Sequence, residues 1–355
     1  MKKKRLLTIT LSVMIVTAMV ACVSISLTAD KKPDTADTES VAVSVGEDRY
    51  NILVTGSDRT SGLTDVIMLI TVNRKSRTAA VMQIPRDTYA EYTDGSYKKL
   101  NGAYTKLGAE KLCELLSDSL GICIDRYLML SPDALRETVD ALGGVEITLD
   151  APMYYKDPAQ GLYISLKAGR QVLDGKTAEQ FIRYRSGYAD GDLGRIDAQK
   201  VFMCALFRKA KSDLDPIRLA KLTSALLGKT DTNISLSDAA SLAEDVSAVD
   251  IKNISFVTAP GEAVVAKESG ASYYSLSSKA MSELLSNYFG ADGADFDRHK
   301  IFLNEKYESF AGVYGGYTPY KVYTAENMSK GVDGIASIAQ IPIDKKLFLH
   351  YNIKS

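Results

Sequence analysis

The chain is expected to fold as an α/β protein: an αβα sandwich in which a central mixed β-sheet is flanked by helices on both faces. Three observations predict it. Val66–Val72 is nearly all apolar and rich in β-branched residues, as in a strand covered on both faces. Segments of helical period alternate along the chain with short apolar strands. Glycine and proline punctuate the transitions, at Gly56, Pro85, Gly121, Pro132 and Gly143-Gly144. No internal repeat is present.

Taken in order, Tyr50–Thr55 reads as a short strand ending at Gly56, and Val66–Val72 as the central one. Asn73–Arg77 is a polar turn, Thr78–Ile84 is the next strand, and the two strands are expected to form a hairpin stopped by Pro85. Leu107, Leu112, Leu115, Leu116 and Leu120 form a helical stripe, predicting a helix over Ala103–Leu120 that Gly121 closes. Tyr127–Leu130 is a strand. Pro132 opens a helix over Ala134–Leu142, Gly143-Gly144 ends it, and Val145–Leu149 is a strand. Helices are expected over Gly175–Ile182, Ile196–Lys211, Pro216–Leu227, Ser237–Ala248 and Lys279–Tyr288, with a strand at Ile254–Thr258. The Tyr- and Gly-rich tail from Asp295 carries no placeable pattern.

The N-terminus predicts the compartment. Lys2, Lys3, Lys4 and Arg5 precede an uncharged apolar run from Leu6 to Ala29, long enough to cross a bilayer as one transmembrane helix. The basic cluster places the N-terminus in the cytoplasm and the rest outside. A cleaved signal peptide is the rival reading, and Met19-Val20-Ala21-Cys22 also resembles a lipoprotein cleavage box. All three put the rest of the chain on the extracytoplasmic face of the cell membrane. The expected organisation is an anchor at 1–29, a flexible linker at 30–47, a catalytic domain at 48–294 and a C-terminal extension at 295–355.

Composition excludes several classes. A net charge of -1 in 355 residues argues against a broad nucleic-acid surface. Cys22, Cys113, Cys123 and Cys204 form no CxxC pair, so a zinc ribbon or thioredoxin-like motif is unsupported. Cys113 and Cys123 are either buried free thiols or a disulfide. The two histidines, His299 and His350, lie far downstream, so a base or metal ligand near the sites below is expected to be a carboxylate. GxxxxGKS/T, GxSxG and HExxH are all absent.

Against that neutral background, IRYRSGYADGDLGRIDAQ (Ile182–Gln199) brings together Arg183, Arg185 and Arg195 with Asp190 and Asp192. Guanidinium forks match phosphate oxygens two at a time, so several in one place point to a ligand with more than one phosphate. Arg183 and Arg185 would share a face on an extended segment. Asp192 is placed to cap a helix on which Arg195 and Gln199 lie four apart. The competing reading is a set of surface salt bridges to Asp190, Asp192 and Asp197. Earlier, Asp58 and Asp65 flank a loop at a strand edge, suiting Mg²⁺ (magnesium, with Mn²⁺ as substitute) or merely forming a solvated turn. Arg86 and Asp87 follow a strand directly, and Lys98-Lys99 precedes a helix. Arg86 and the two lysines are each either a phosphate contact or an ordinary solvated group.

In this order, the stretches ILVTGSDRTSGLTDVIMLITVN, VMQIPRDTY, KKLNGAYTKLGAEKL, VDALGGVEI, LKAGRQVLDGKTAEQFIRYR and DGDLGRIDAQKVF resemble the LytR-CpsA-Psr family of extracytoplasmic enzymes. The resemblance spans about Tyr50–Ala210 and implies a phosphotransferase. Such an enzyme moves a glycopolymer phosphate from undecaprenyl pyrophosphate to a muramic acid hydroxyl of peptidoglycan. It implies that Asp58 and Asp65 hold the metal and that Arg86, Arg183, Arg185 and Arg195 clamp the pyrophosphate. Lys99, Gln199 and Arg59 would support the substrate, and Asp192 would orient the cluster. Asp87 or Asp192 would take the acceptor proton, and the polyprenyl tail would lie in an apolar tunnel. One departure is that Arg59 follows Asp58 directly, where the family usually keeps one residue between them, and the loop to Asp65 is short. The alternatives are a pyrophosphatase on the same lipids and a non-catalytic lipid-binding regulator.

Overall fold

The computed structural model describes residues 48–57, 62–92, 95–158, 162–188, 192–213, 230–291, 310–311, 320–325 and 328. The described residues begin with strands β1 (Arg49–Ser57), β2 (Thr64–Asn73) and β3 (Thr78–Ile84), then a ribbon of β4 (Tyr89–Glu91) and β5 (Tyr97–Lys99). A 3-10 turn at Leu100–Gly102 leads into helices α1 (Ala103–Leu107) and α2 (Ala109–Leu120). Next come β6 (Arg126–Leu130), α3 (Pro132–Ala141), β7 (Val145–Leu149), the hairpin β8 (Met153–Asp157) and β9 (Leu162–Leu166), and β10 (Gly169–Leu173). Helices α4 (Gly175–Arg183) and α5 (Asp192–Asp213) follow, then β11 (Asp231–Thr232), α6 (Leu236–Ser247) and β12 (Ile254–Thr258). The described chain closes with β13 (Gly261–Ala266), β14 (Ser272–Leu276), α7 (Ser278–Phe289), β15 (Phe310–Ala311) and β16 (Val322–Thr324).

The central sheet has the order β11-β6-β1-β2-β3-β12-β16 and is mixed. β1 pairs parallel with β6 and β3 parallel with β12, whereas β2 runs antiparallel between β1 and β3. β2 is therefore the middle strand, as its continuous apolar run predicts. The β2–β3 hairpin forms in register from Asn73↔Thr78 to Ile67↔Ile84.

The pleat sorts alternate side chains into two cores. Tyr50, Ile52, Val54, Met68, Ile70 and Val81 pack on one face with Leu135 of α3, Phe181 of α4, Phe202 of α5 and Leu242 of α6. Leu53, Ile67, Leu69 and Met82 pack on the other face with Leu116 of α2 and Leu284 of α7. The Phe181 and Phe202 rings lie 6.0 Å apart and lock α4 to α5. Each fully buried side chain of this size contributes roughly 1.5–3 kcal/mol of transfer free energy. This is the predicted sandwich of a mixed sheet between helical layers.

Several elements depart from the sequence reading. The helix predicted over Ala103–Leu120 is two helices, because Gly108 adopts φ +86°, a conformation that breaks the helical ladder. α5 starts at Asp192, a turn before Ile196, and runs to Asp213, so Asp192 is the first helical residue rather than a cap ahead of the helix. The ribbons β4–β5, β8–β9 and β13–β14 and the strand β10 are additional to the predicted elements. They are strands of three to six residues, too short for a period-2 pattern to stand out, and several leave apolar or aromatic side chains exposed, among them Tyr154, Tyr163, Val172 and Val265. Cys113 is a buried free thiol, whereas Cys123 is exposed and its Sγ donates to Asp125 Oδ1 at 2.8 Å, so the two form no disulfide.

The anchor at 1–29, the linker and the helix predicted at Pro216–Leu227 lie outside the described residues. Among the described residues no helix is long and apolar enough to cross a membrane. Within the 295–355 extension, β16 pairs antiparallel with β12 and widens the central sheet by one strand.

Candidate active site

The strands β1, β3, β6 and β12 point the same way, so their carboxyl ends share one sheet edge with the start of β2. Ligand sites in open α/β sheets gather at such edges. Ser57, the last residue of β1, pairs with Thr64, the first of β2, across a bulge. Thr64 Oγ1 donates to the Asn101 carbonyl at 3.0 Å and fixes this corner to the 3-10 turn. Asp65 follows at once and accepts a hydrogen bond from Arg86 Nη1 at 2.6 Å. Both side chains keep a sixth to a fifth of their surface exposed, at 16% and 19%, so the pair is reachable from solvent.

Arg86 and Asp87 occupy the tip of the turn that leaves β3. Pro85 stops the strand, and Thr88 closes the turn by donating its N–H and Oγ1 to the Pro85 carbonyl at 3.0 and 2.6 Å. The Arg86 carbonyl accepts from Asn101 N–H at 3.0 Å, and the Asp87 carbonyl accepts from Tyr274 N–H at 2.8 Å. Lys99, which lies at the end of β5, reaches Asp87 Oδ1 at 3.1 Å and stands 5.8 Å from the Tyr273 ring centre.

The second corner is built from α4 and α5. Arg183 is the last residue of α4, not part of an extended segment, because Ala178, Phe181 and Ile182 sustain the helical apolar spacing to its end. Arg183 and Arg185 therefore do not share a strand face. The Arg183 side chain is 8% exposed and donates to Glu179 Oε1 at 3.2 Å, one helical turn back. Glu179 also accepts from Arg136 of α3, so one buried carboxylate joins two guanidinium groups. Burial pushes the Glu179 carboxyl above the usual range, and the Arg136 and Arg183 charges pull it back.

Arg185 is exposed on the turn after α4. That turn is pinned by an edge-on contact of Tyr184 with Tyr188, whose rings stand 5.5 Å apart. Tyr188 lies so close to α5 that a Cβ at Gly194 would come within 2.5 Å of it, which explains the glycine in the GDLGR sequence. The next residue, Arg195, is 5% exposed, and Gln199 follows one turn later at 2%.

A hydrogen-bonded chain ties the two corners together. Gln83 Nε2 of β3 donates to Gln199 Oε1 at 2.7 Å, and Gln199 Nε2 donates to the Ile182 carbonyl at 3.1 Å. Gln83 lies three residues before Arg86, and Ile182 one residue before Arg183. The strand end bearing Arg86 is thereby fastened to the helix end bearing Arg183. The structure thus brings Asp65, Arg86, Asp87 and Lys99 together and links them to Arg183, Arg195 and Gln199. It leaves Arg185 at the surface of the same loop. Asp58 and Arg59 lie outside the described residues. Asp197, one candidate for a surface salt bridge to the arginines, pairs with Lys200 instead.

Glu179, Arg136 and Gln83 are absent from the sequence reading. Glu179 had a signal, since it lies four residues before Arg183 on a helix. Gln83 is a polar interruption in an otherwise apolar strand, but its partner is 116 residues away. Arg136 carried no local signal.

A sequence model of the LytR_cpsA_psr family matches residues 16–289. The chain belongs to that family. Among its relatives is the polyisoprenyl-teichoic acid–peptidoglycan teichoic acid transferase TagV of Bacillus subtilis, 28% identical over 206 residues, which are 56% of this chain and 52% of TagV. Another is LcpB of Corynebacterium glutamicum, described as a probable cell wall biosynthesis protein, 36% identical over 179 residues, or 50% of this chain and 42% of LcpB. The chain therefore spans about half the length of the curated relatives it matches. The fold is shared with an Enterococcus faecalis protein described as a transcriptional regulator. Its crystal structure superposes with a TM-score of 0.62 at 23% identity, covering 75% of this chain and 97% of that one.

Proposed function

We propose that this LytR_cpsA_psr protein transfers a glycopolymer phosphate from undecaprenyl pyrophosphate to a muramic acid hydroxyl of peptidoglycan, working at the outer face of the membrane on a single N-terminal anchor. The observation that carries it is the tie between corners. The solvent-reachable Asp65–Arg86 pair and the Arg183–Arg195 group are fastened by Gln83 and Gln199 at one sheet edge inside the family-matched region. Relatives such as TagV, a teichoic acid transferase, support the substrate class.

In this reaction the acceptor oxygen bonds to the glycan-side phosphorus, and the bond from that phosphorus to the bridging oxygen breaks. Undecaprenyl phosphate leaves, and the hydroxyl proton passes to a carboxylate, Asp87 or Asp192. Phosphoryl transfer depends on positioning and charge neutralisation more than on covalent help, which suits guanidinium groups held by fixed partners. Arg86, Arg183, Arg185 and Arg195 bind the pyrophosphate oxygens, and Lys99, Gln199 and Arg59 support them.

The donors fit magnesium, or manganese in its place. Asp65 offers carboxylate oxygen beside Ser57, where β1 ends one residue before Asp58, and oxygen is the donor that Mg²⁺ prefers. Mg²⁺ completes its shell with water and substrate phosphates, so two carboxylates are enough to hold it. Asp58 and Asp65 would hold it, and when bound it neutralises charge on the phosphates.

Purified protein given a lipid-linked glycan and peptidoglycan fragments is expected to yield a glycan–peptidoglycan phosphodiester by mass spectrometry. EDTA should stop the reaction and Mg²⁺ restore it. Free glycan phosphate as the sole product would replace the transferase by a pyrophosphatase. Wall glycan attachment that is equal in cells carrying intact and Arg183→Ala protein would favour a non-catalytic regulator.

A further inference from the structure

Lys200 stands next to Gln199 on α5 and is 2% exposed, yet no step above uses it. A buried ammonium costs several kcal/mol unless its donors are satisfied. Two oxygen partners and one aromatic ring surround the Lys200 ammonium. Nζ lies 2.6 Å from Asp197 Oδ1, donates to Thr258 Oγ1 at 2.9 Å, and stands 5.0 Å from the ring centre of Tyr323. The last distance is within cation–π range. Burial pulls the ammonium below the ordinary lysine range, and Asp197 pulls it back.

These partners come from three elements. Asp197 is on α5, Thr258 ends β12, and Tyr323 is on β16, beyond the family-matched residues 16–289. β16 is seated firmly. Phe256 pairs with Tyr323, Ala325 and Met328 are buried in the core beneath α5, and Cys204 Sγ contacts Met328 Sδ at 3.6 Å. The C-terminal segment therefore touches α5 at Lys200 and again one turn later at Cys204.

Thr258 and Gln83 are register partners on adjacent parallel strands. The contacts Lys200–Thr258 and Gln199–Gln83 are thus neighbouring attachments of one helix to one sheet edge. Two attachments fix the helix rotation, and one would leave a pivot at Gln199. Arg195 lies on the turn just before them.

We propose that Lys200 and Tyr323 form a positioning staple through which the C-terminal strand sets the placement of Arg195 and Gln199. The proposal rests on the pyrophosphate-transfer reading of that site. Neither residue is assigned contact with substrate.

The test uses the full chain and the variants Tyr323→Leu, Tyr323→Phe and Lys200→Met. Two readouts are taken: hydrogen exchange of the amides in residues 192–204, and affinity for geranylgeranyl pyrophosphate. Tyr323→Leu and Lys200→Met are expected to speed exchange in that helix and weaken the probe about tenfold. Tyr323→Phe keeps the ring and should stay within about twofold of wild type. Wild-type exchange and affinity in Tyr323→Leu would overturn the staple, as would a Tyr323→Phe protein as impaired as the leucine variant. If Lys200→Met fails to fold, the two Tyr323 variants still decide the matter, because Tyr323 is only partly buried. A wild-type protein that binds no prenyl pyrophosphate would count against the proposed function, and the exchange data would then decide the staple alone.

Discussion

The Asp65–Arg86 corner and the Arg183–Gln199 corner sit at the same sheet edge but are held in place by different means. Asp65 and Arg86 are placed by tight local geometry: a strand start, a proline-terminated strand end and the Thr88 turn, cross-linked by backbone bonds to Asn101. Their side chains remain partly exposed. Arg183 and Gln199 are instead placed by buried side-chain partners, Glu179 one helical turn back, itself tied to the half-buried Arg136 of α3, and Gln83 from 116 positions away. The first corner presents charge to a ligand, whereas the second holds buried charge in readiness behind it. Loss of a residue in the first should cost chemistry, and loss of one in the second should cost the fold as well.

The sharpest way to break this contrast is Glu179→Ala. It leaves the nearly buried Arg183 guanidinium without this carboxylate, so the protein should lose about 3–5 kcal/mol of stability in a denaturant titration. A variant as stable as wild type would show that the second corner is not structural.

Arg86→Ala is expected to do the reverse. Transfer should fall about 100-fold or more, while the melting temperature shifts by only a few degrees. A large loss of stability with activity retained per folded molecule would erase the distinction between the corners.

The smallest effect concerns the other end of the helix that carries Arg183. Asp174 caps α4 by accepting from Thr177 N–H at 2.7 Å, and the Thr177 hydrogen bonds hold its carboxyl below the usual 3.8. A depressed folded value means that the stabilisation is complete above the unfolded value and is lost as pH falls through the folded one. Asp174→Ala should therefore cost about 1 kcal/mol at neutral pH. The gap from wild type should close in strongly acidic buffer, as thermal melts at both pH values can verify. A gap independent of pH would mean that the charge of Asp174 plays no part.

Much of the fold was legible in the chain because its signals are local. Continuous apolar character marked β2 as central, and Pro132 and Gly143-Gly144 bracketed the α3 region. Gly108 shows the limit: the leucine stripe runs through it, but a positive φ divides the stripe into two helices. The arginines of the site were legible as a cluster against a neutral composition. Their spacing, however, suggested an extended segment, and the apolar Phe181 and Ile182 kept the chain helical as far as Arg183.

The sequence by itself determined the layered α/β class, the middle strand and the residue types of the site, because hydrophobic period, turn chemistry and charge are properties of neighbouring residues. Only the tertiary structure decided which of those residues meet. Gln83 reaches Gln199 across 116 positions, Arg86 reaches Asp65 across a hairpin, and Arg136 reaches Glu179 between two helices. Buried polar groups must find partners wherever packing brings them, and that pairing is set by how sheet and helices dock.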